Sequence, residues 1–275
     1  MIKTVFQSEG GNRVFKVWCH NHQRFYALKF FGNSQDLQAE TNFYSHSRHP
    51  YLLKPYCFIN GHHVKGQRLE KSQGGIVMDW FDGISALDYA RRPATTDSDL
   101  VTVAARMFNA LVYVHYIGFI HGDLKLDNVL VDPKTKDIRI IDFGFAIRLP
   151  YYVTKRGNPN ILAPELAGLT DGPVNEAIDW WAYGSCLATL FAYRHLPYYS
   201  RINLKKGTDE KYVAFKIHKR GRFFTVEAVP TAYPEEIRRM LYLCWDLNPA
   251  KRQFNSVQSL LFLKNQPLFR GVNWG

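Results

Sequence analysis

The segment His121-Gly122-Asp123-Leu124-Lys125-Leu126-Asp127-Asn128-Val129-Leu130-Val131, followed by Ile138-Arg139-Ile140-Ile141-Asp142-Phe143-Gly144, constrains the fold more than any other part of the chain. Two short aliphatic runs, Val129 to Val131 and Ile138 to Ile141, flank the turn-forming Asp132-Pro133-Lys134-Thr135 and read as an antiparallel hairpin. In that pairing the residue before the first strand faces the residue after the second. Asn128 is thereby expected beside Asp142 at the open end, about 5 Å apart between backbones. Two hard oxygen donors at one end of a hairpin suit Mg²⁺. Asp123 and Lys125 lie one loop upstream. A carboxylate, an ammonium and a metal site brought together are the components of phosphoryl transfer.

On these residues the chain resembles the eukaryotic-type protein kinases, whose catalytic loop reads H-R-D-L-x-x-x-N and whose metal-binding loop reads D-F-G. Gly122 stands where that family usually carries Arg. The resemblance implies an α+β, bilobal fold in a single domain of residues 1–275. The β-rich N-lobe would end near residue 81, and a larger, mainly helical C-lobe would follow. It also implies ATP and Mg²⁺ as cofactors. Asp123 would take or orient the substrate hydroxyl proton, Lys125 would offset charge on the moving phosphoryl group, and Asn128 and Asp142 would hold the metal. A lysine two positions after the catalytic aspartate resembles the Ser/Thr-directed members.

The N-terminal part reads as strand-rich. Val14 to Trp18 and Arg24 to Phe31 are strand candidates around the polar turn Cys19 to Gln23, and alternation puts Ala27 and Lys29 on one face. Ala27-Leu28-Lys29 resembles the family's V-A-I-K strand, so Lys29 is the expected ligand of the α- and β-phosphates. Counting back from Val14, the family's glycine positions hold Asn12, Glu9 and Gln7. Only Gly10 and Gly11 supply flexibility, and they fall between the expected sites. Ser34 to Ser47 reads as a helix. Its Glu40 matches the glutamate that pairs with the phosphate-binding lysine in the family. Gly74 to Gly83 resembles the last N-lobe strand and the hinge. Met78 would close the back of the adenine pocket, and Asp79 and Phe81 would offer backbone groups to adenine. Val14 and Leu130 complete the expected nucleotide set.

In the second half, Asp97 or Ser98 is the expected cap of a helix with the period Leu100, Val103, Ala104, Met107, Leu111, Val114, ended by Gly118. Asp142 to Glu165 corresponds to an activation segment closing on Ala163-Pro164-Glu165, with Tyr151, Tyr152 and Thr154 as its hydroxyls. Asn158 stands where many relatives carry Thr. Asn175 to Phe191 is apolar nearly all round and belongs inside the large lobe. Its Asp179 needs donors, and the family supplies them from the catalytic-loop backbone near His121. Arg252 is expected to pair with Glu165. Because glycine at 122 cannot bind a phosphorylated activation loop, the chain is expected to work without that phosphate.

Composition narrows the partners. The chain has 275 residues, a net charge of +11 and 21% charged residues, which raises the prior for an acidic partner. Lys205-Lys206 and Lys216 to Arg222 are its basic clusters, so a protein substrate of acidic character is expected. No nucleic-acid motif and no membrane span is read, and a monomer is plausible. Cys19, Cys57, Cys186 and Cys244 are scattered and read as free thiols of a reducing, cytoplasmic compartment. The unadorned form would also suit a microbial or viral kinase acting in a host cell. Histidines such as His20, His22, His62 and His63 read as solvated loop residues, with no zinc-ligand spacing. Two other readings stand beside the enzyme: a pseudokinase scaffold with an altered glycine loop, and a small-molecule kinase sharing the catalytic core.

Overall fold

Strand-forming aromatic and β-branched residues dominate the first third of the chain, and they build one antiparallel sheet. The structure, a computed structural model, describes residues 3–7, 12–59, 63–64, 67–68, 74–149, 163–166, 175–195 and 231–274. Gly10, Gly11, Tyr151, Tyr152, Thr154, Asn158 and the basic stretch 205–222 lie outside the described residues. The sheet runs in the order β1 (Lys3–Gln7), β2 (Arg13–Cys19), β3 (Arg24–Phe31), β7 (Gly74–Asp79), β4 (Pro55–Ile59). A small ribbon, β5 (His63–Val64) with β6 (Gln67–Arg68), precedes β7. Helix α1 (Ser34–His46) starts at Asn33, whose side chain accepts from the Asp36 amide at 2.8 Å. It lays Phe43 and Tyr44, both buried, toward the core.

The larger lobe is mainly helical. Strand β8 (Ile84–Ser85) leads into α2 (Ala86–Ala90), then α3 (Asp97–Tyr116). The cap of α3 is Thr96, one residue before Asp97 and two before Ser98, the expected caps. The reason is a reciprocal capping box: the Thr96 hydroxyl accepts from the Asp99 amide at 3.2 Å, while the Asp99 carboxylate accepts from the Thr96 amide at 3.0 Å. Gly118 follows the helix at φ +79°, in the left-handed region that glycine enters freely. Beyond it lie β9 (Phe119–Ile120), β10 (Val129–Val131), β11 (Ile138–Ile140) and β12 (Ile147–Arg148). Strand β12 pairs with β9, and β10 lies between β8 and β11. Helices α4 (Ala177–His195), α5 (Glu235–Cys244) and α6 (Val257–Lys264) complete the lobe. Trp180, Trp181, Tyr183, Leu187 and Leu190 of α4 are all buried, as its all-round apolar pattern requires.

The hairpin forms as expected, but its register differs by one residue. Val129 faces Ile140, so Asn128 faces Ile141, whose amide donates to the Asn128 carbonyl at 2.9 Å. Asp142 is one position further on, not directly opposite. The turn decides this: the Asp132 amide donates to the Asp137 carbonyl at 2.8 Å, and Lys136 takes φ +60°. A left-handed residue in the turn fixes which residues meet, and a lysine does not advertise that conformation.

Two buried charges fasten the helical lobe. Arg252 is fully buried and donates to Glu165 at 2.6 Å, to the Asp246 carbonyl at 2.7 Å and to the Ala177 carbonyl. Asp179, at the start of α4, accepts from the His121 amide at 2.7 Å and the Gly122 amide at 3.0 Å, as the sequence led one to expect. It also accepts from His115 Nε2 at 2.9 Å. His115 and His121 are therefore internal structural groups, whereas His20 and His22 are exposed in the β2–β3 turn. Burial opposes the Asp179 charge, but these donors, His115 foremost, hold its carboxyl below the ordinary value.

Two outcomes are expected. Arg252→Met leaves Glu165 buried and unpaired and should cost about 3–5 kcal/mol in denaturant-unfolding experiments. Asp179→Asn should cost about 3 kcal/mol at neutral pH. Because the folded-state value of Asp179 is depressed, its contribution is complete above about pH 4 and is lost as the pH falls through that depressed value. The stability curves of wild type and Asp179→Asn should therefore converge in acid.

Candidate active site

Strand β3 sets the first group. Lys29 lies across from Val14 on β2 and Ile76 on β7, while Ala27 lies across from Lys16 and Met78. Cross-strand partners share a face, so Val14, Ala27, Lys29 and Met78 line one side of the sheet. Lys29 is buried, and its ammonium donates to Glu40 on α1 and, at 2.8 Å, to Asp142 Oδ1 beyond β11. One side chain thus joins the sheet, the helix and the loop that follows β11.

The charges of this junction are unequal. Burial alone would push the Lys29 ammonium down, but Glu40 and Asp142 reverse this and hold it above its ordinary range. Burial likewise opposes the Asp142 carboxylate, yet Lys29 prevails and the group lies well below the usual carboxylate range. Glu40, fully buried, is pushed up to about 8 by burial against the pull of Lys29, with the charge of Asp142 adding to the rise. A single ammonium satisfies one carboxylate and leaves the second short. Among the described residues Glu40 Oε2 has no hydrogen-bond partner.

Asp142 takes φ +67°, which turns its side chain toward the cleft while Phe143 enters the core. Phe143 stacks on Phe43 with centroids 3.6 Å apart and planes within 9°. Tyr44 meets it edge-on at 5.7 Å, and the His121 ring lies 4.6 Å away. The residues that hold Phe143 from α1 stand three and four positions after Glu40, so helical spacing could have found them.

The catalytic loop is held by its own backbone and by His121. The His121 imidazole is buried, which keeps it below its ordinary value and neutral despite Asp179, Asp123 and Asp142 nearby. Its Nδ1 accepts from the Asp123 amide at 3.2 Å, and its Nε2–H donates to the Ile141 carbonyl at 3.3 Å. These partners define the tautomer. The Asp123 carboxylate accepts from Lys125 at 2.6 Å and from Asn128 Nδ2 at 3.3 Å; Asn128 Nδ2 also donates to the Asp123 carbonyl at 2.9 Å. Gly122 takes φ +78°, and a Cβ on it would lie 2.6 Å from the Phe145 carbonyl oxygen. The start of the activation segment therefore rests directly on the catalytic-loop backbone.

On the hinge side, the Asp79 amide donates to the Lys54 carbonyl at 3.0 Å. The Asp79 side chain accepts from Arg24 at 3.2 Å and Tyr56 at 2.8 Å. Phe81 is half-buried, with the Arg139 guanidinium 4.7 Å from its ring centroid. Leu130 lies across from Arg139 and Ser85.

The donor set fits Mg²⁺. Asn128 commits its amide nitrogen to Asp123, which leaves its amide oxygen as the atom able to meet a cation. Asp142 is ionised and partly exposed. Among the described residues no cluster of three His, Cys, Asp or Glu side chains forms a protein cage. A cation held by one carboxylate, one amide and a substrate's phosphates is the pattern of Mg²⁺.

Similarity to known proteins agrees with this geometry. Over 203 residues the chain is 28% identical to cAMP-dependent protein kinase type 3 of Saccharomyces cerevisiae, covering 70% of this chain and 48% of that protein. It is 31% identical over 176 residues to the RAC serine/threonine-protein kinase of Drosophila melanogaster, covering 62% of this chain and 26% of that one. It is 28% identical over 244 residues to the proto-oncogene tyrosine-protein kinase ROS of Gallus gallus, covering 83% of this chain and 10% of the relative. The chain thus spans about half or less of the length of these relatives. The family model described as Protein kinase domain matches residues 9–261, a span that takes in both lobes and the whole Lys29 junction, and the chain belongs to that family.

Proposed function

We propose that the chain is an active serine/threonine protein kinase, transferring the γ-phosphoryl group of ATP to protein hydroxyls. The observation that carries this reading is the Lys29 ammonium bonded at once to Glu40 and Asp142, over a catalytic loop whose Asp123 is already oriented by Lys125 and Asn128. Adenine would enter between Val14 and Ala27 above and Leu130 below, against Met78, with the Asp79 carbonyl and the Phe81 backbone at its edge. Lys29 would hold the α- and β-phosphates, kept in place by Glu40. Asn128 and Asp142 would hold Mg²⁺, which neutralises phosphate charge when bound. Asp123 accepts the substrate hydroxyl proton, and Lys125 turns from Asp123 to the transferring group. The lysine at 125 and the serine/threonine kinases among the relatives support the Ser/Thr preference. Four free thiols suit a cytoplasmic site of action, and nothing in the reading requires more than a monomer.

The left-handed Gly122, seated against the Phe145 carbonyl, supports activity without an activation-loop phosphate. The start of that segment is held by backbone contacts: β12 pairs with β9, and the Leu149 amide donates to the Gly118 carbonyl at 2.8 Å. The alternative of a nucleotide-binding scaffold draws on the altered glycine positions and Asn158, and a small-molecule kinase would share the same core.

With γ-labelled ATP, Mg²⁺ and peptide mixtures, wild type should label serine or threonine. Asp123→Asn should lower kcat by about 10²–10⁴-fold. Equal labelling by both proteins would leave the scaffold reading standing. Phosphatase-treated Thr154→Ala should keep most of its activity; loss of most of it would overturn phosphate independence. Acidic peptides should outpace basic ones if residues 205–222 guide substrates, and equal rates would remove that role.

A further inference from the structure

The family's last loop glycine is replaced here by Asn12, and its side chain is buried at a three-way junction. Asn12 Oδ1 accepts from the Gly32 amide, just past β3, at 3.0 Å. Asn12 Nδ2 donates to Asp36 Oδ2, in the first turn of α1, at 3.2 Å. A donor on one side and an acceptor on the other fix the amide in one orientation, since a flip would set like against like on both sides. Asp36 precedes Glu40 by one helical turn and shares its face. Gly144 lies beneath Asp36: a Cβ on it would sit 3.4 Å from Asp36 Cβ and Cγ. The entry of β2, the exit of β3, the start of α1 and the loop that follows β11 therefore meet around one hydrogen-bonded pair.

We propose that Asn12 is a positioning residue that clips α1 to the adjoining ends of β2 and β3 and so keeps Glu40 turned in on Lys29. The clip substitutes a fixed tether for glycine flexibility at that position. Its consequence for catalysis rests on the kinase reading given above; its effect on α1 does not.

The test uses the full chain and three variants: Asn12→Ala, Asn12→Asp, and the swap Asn12→Asp with Asp36→Asn. In the swap, the carboxylate introduced at position 12 accepts from both the Gly32 amide and the side-chain amide introduced at position 36. The donor–acceptor pair is thereby restored with its polarity reversed. Hydrogen exchange of α1 amides from Asp36 to Tyr44 should speed up about tenfold in Asn12→Ala, with helices α3 and α4 unaffected. Asn12→Asp, with two carboxylates facing, should do at least as much, and the swap should return exchange toward wild type. In Mg²⁺–ATP assays Asn12→Ala should raise KM for ATP about five- to tenfold while kcat falls less. Unchanged α1 exchange in Asn12→Ala, exchange raised equally in every helix, or a swap no better than Asn12→Asp would each overturn the clip. Wild type that binds and turns over no ATP would instead defeat the kinase reading, and the exchange results alone would still decide whether the clip exists.

Discussion

One ammonium holds the two lobes in register. Lys29 sits among apolar neighbours where a lone charge would be expelled, and it stays charged only because Glu40 and Asp142 reach it from two different elements. Those carboxylates in turn are placed by packing. Glu40 is on the buried face of α1, whose Phe43 and Tyr44 close on Phe143, and Phe143 adjoins Asp142. Charge placement and ring stacking are therefore one constraint seen twice. A rotation of α1 that broke the ion pair would also unstack the rings.

The junction is also short of positive charge. Two carboxylates share one ammonium, and burial pushes the Glu40 carboxyl well up from its ordinary value. Such a site favours an incoming cation beside Asp142, since added positive charge relieves the shortage. The C-lobe answers the opposite problem. Asp179, on the buried helix α4, holds the His121–Gly122 backbone, and Arg252 joins the segment around Glu165 to the Ala177 carbonyl at the start of α4.

Much of this was legible in the residues. Lys29, Glu40, Asp123, Asn128 and Asp142 were found because short motifs carry their own spacing, and the ladder from Arg24 to Phe31 because its composition is strand-like. Asp179 stood out because a charge inside an apolar helix demands donors, and the pairing of Arg252 with Glu165 followed from the family resemblance of the segment around it. The one-residue register error came from Lys136, whose left-handed backbone has no compositional sign. His115 escaped because its partner Asp179 lies 64 residues away and no local pattern links them. The bond from the Asp79 amide to the Lys54 carbonyl depends on a neighbouring segment that sequence alone does not supply.

Gly122 has a consequence for what position 122 can accept. A carbonyl occupies the space any side chain would need, at a backbone angle that other residues adopt only at about 1–2 kcal/mol. An arginine placed at 122 would first have to displace the Phe145 carbonyl before its guanidinium could reach any phosphate. Glycine there acts as a lock on the backbone: the two strands of chain are in contact because nothing protrudes between them.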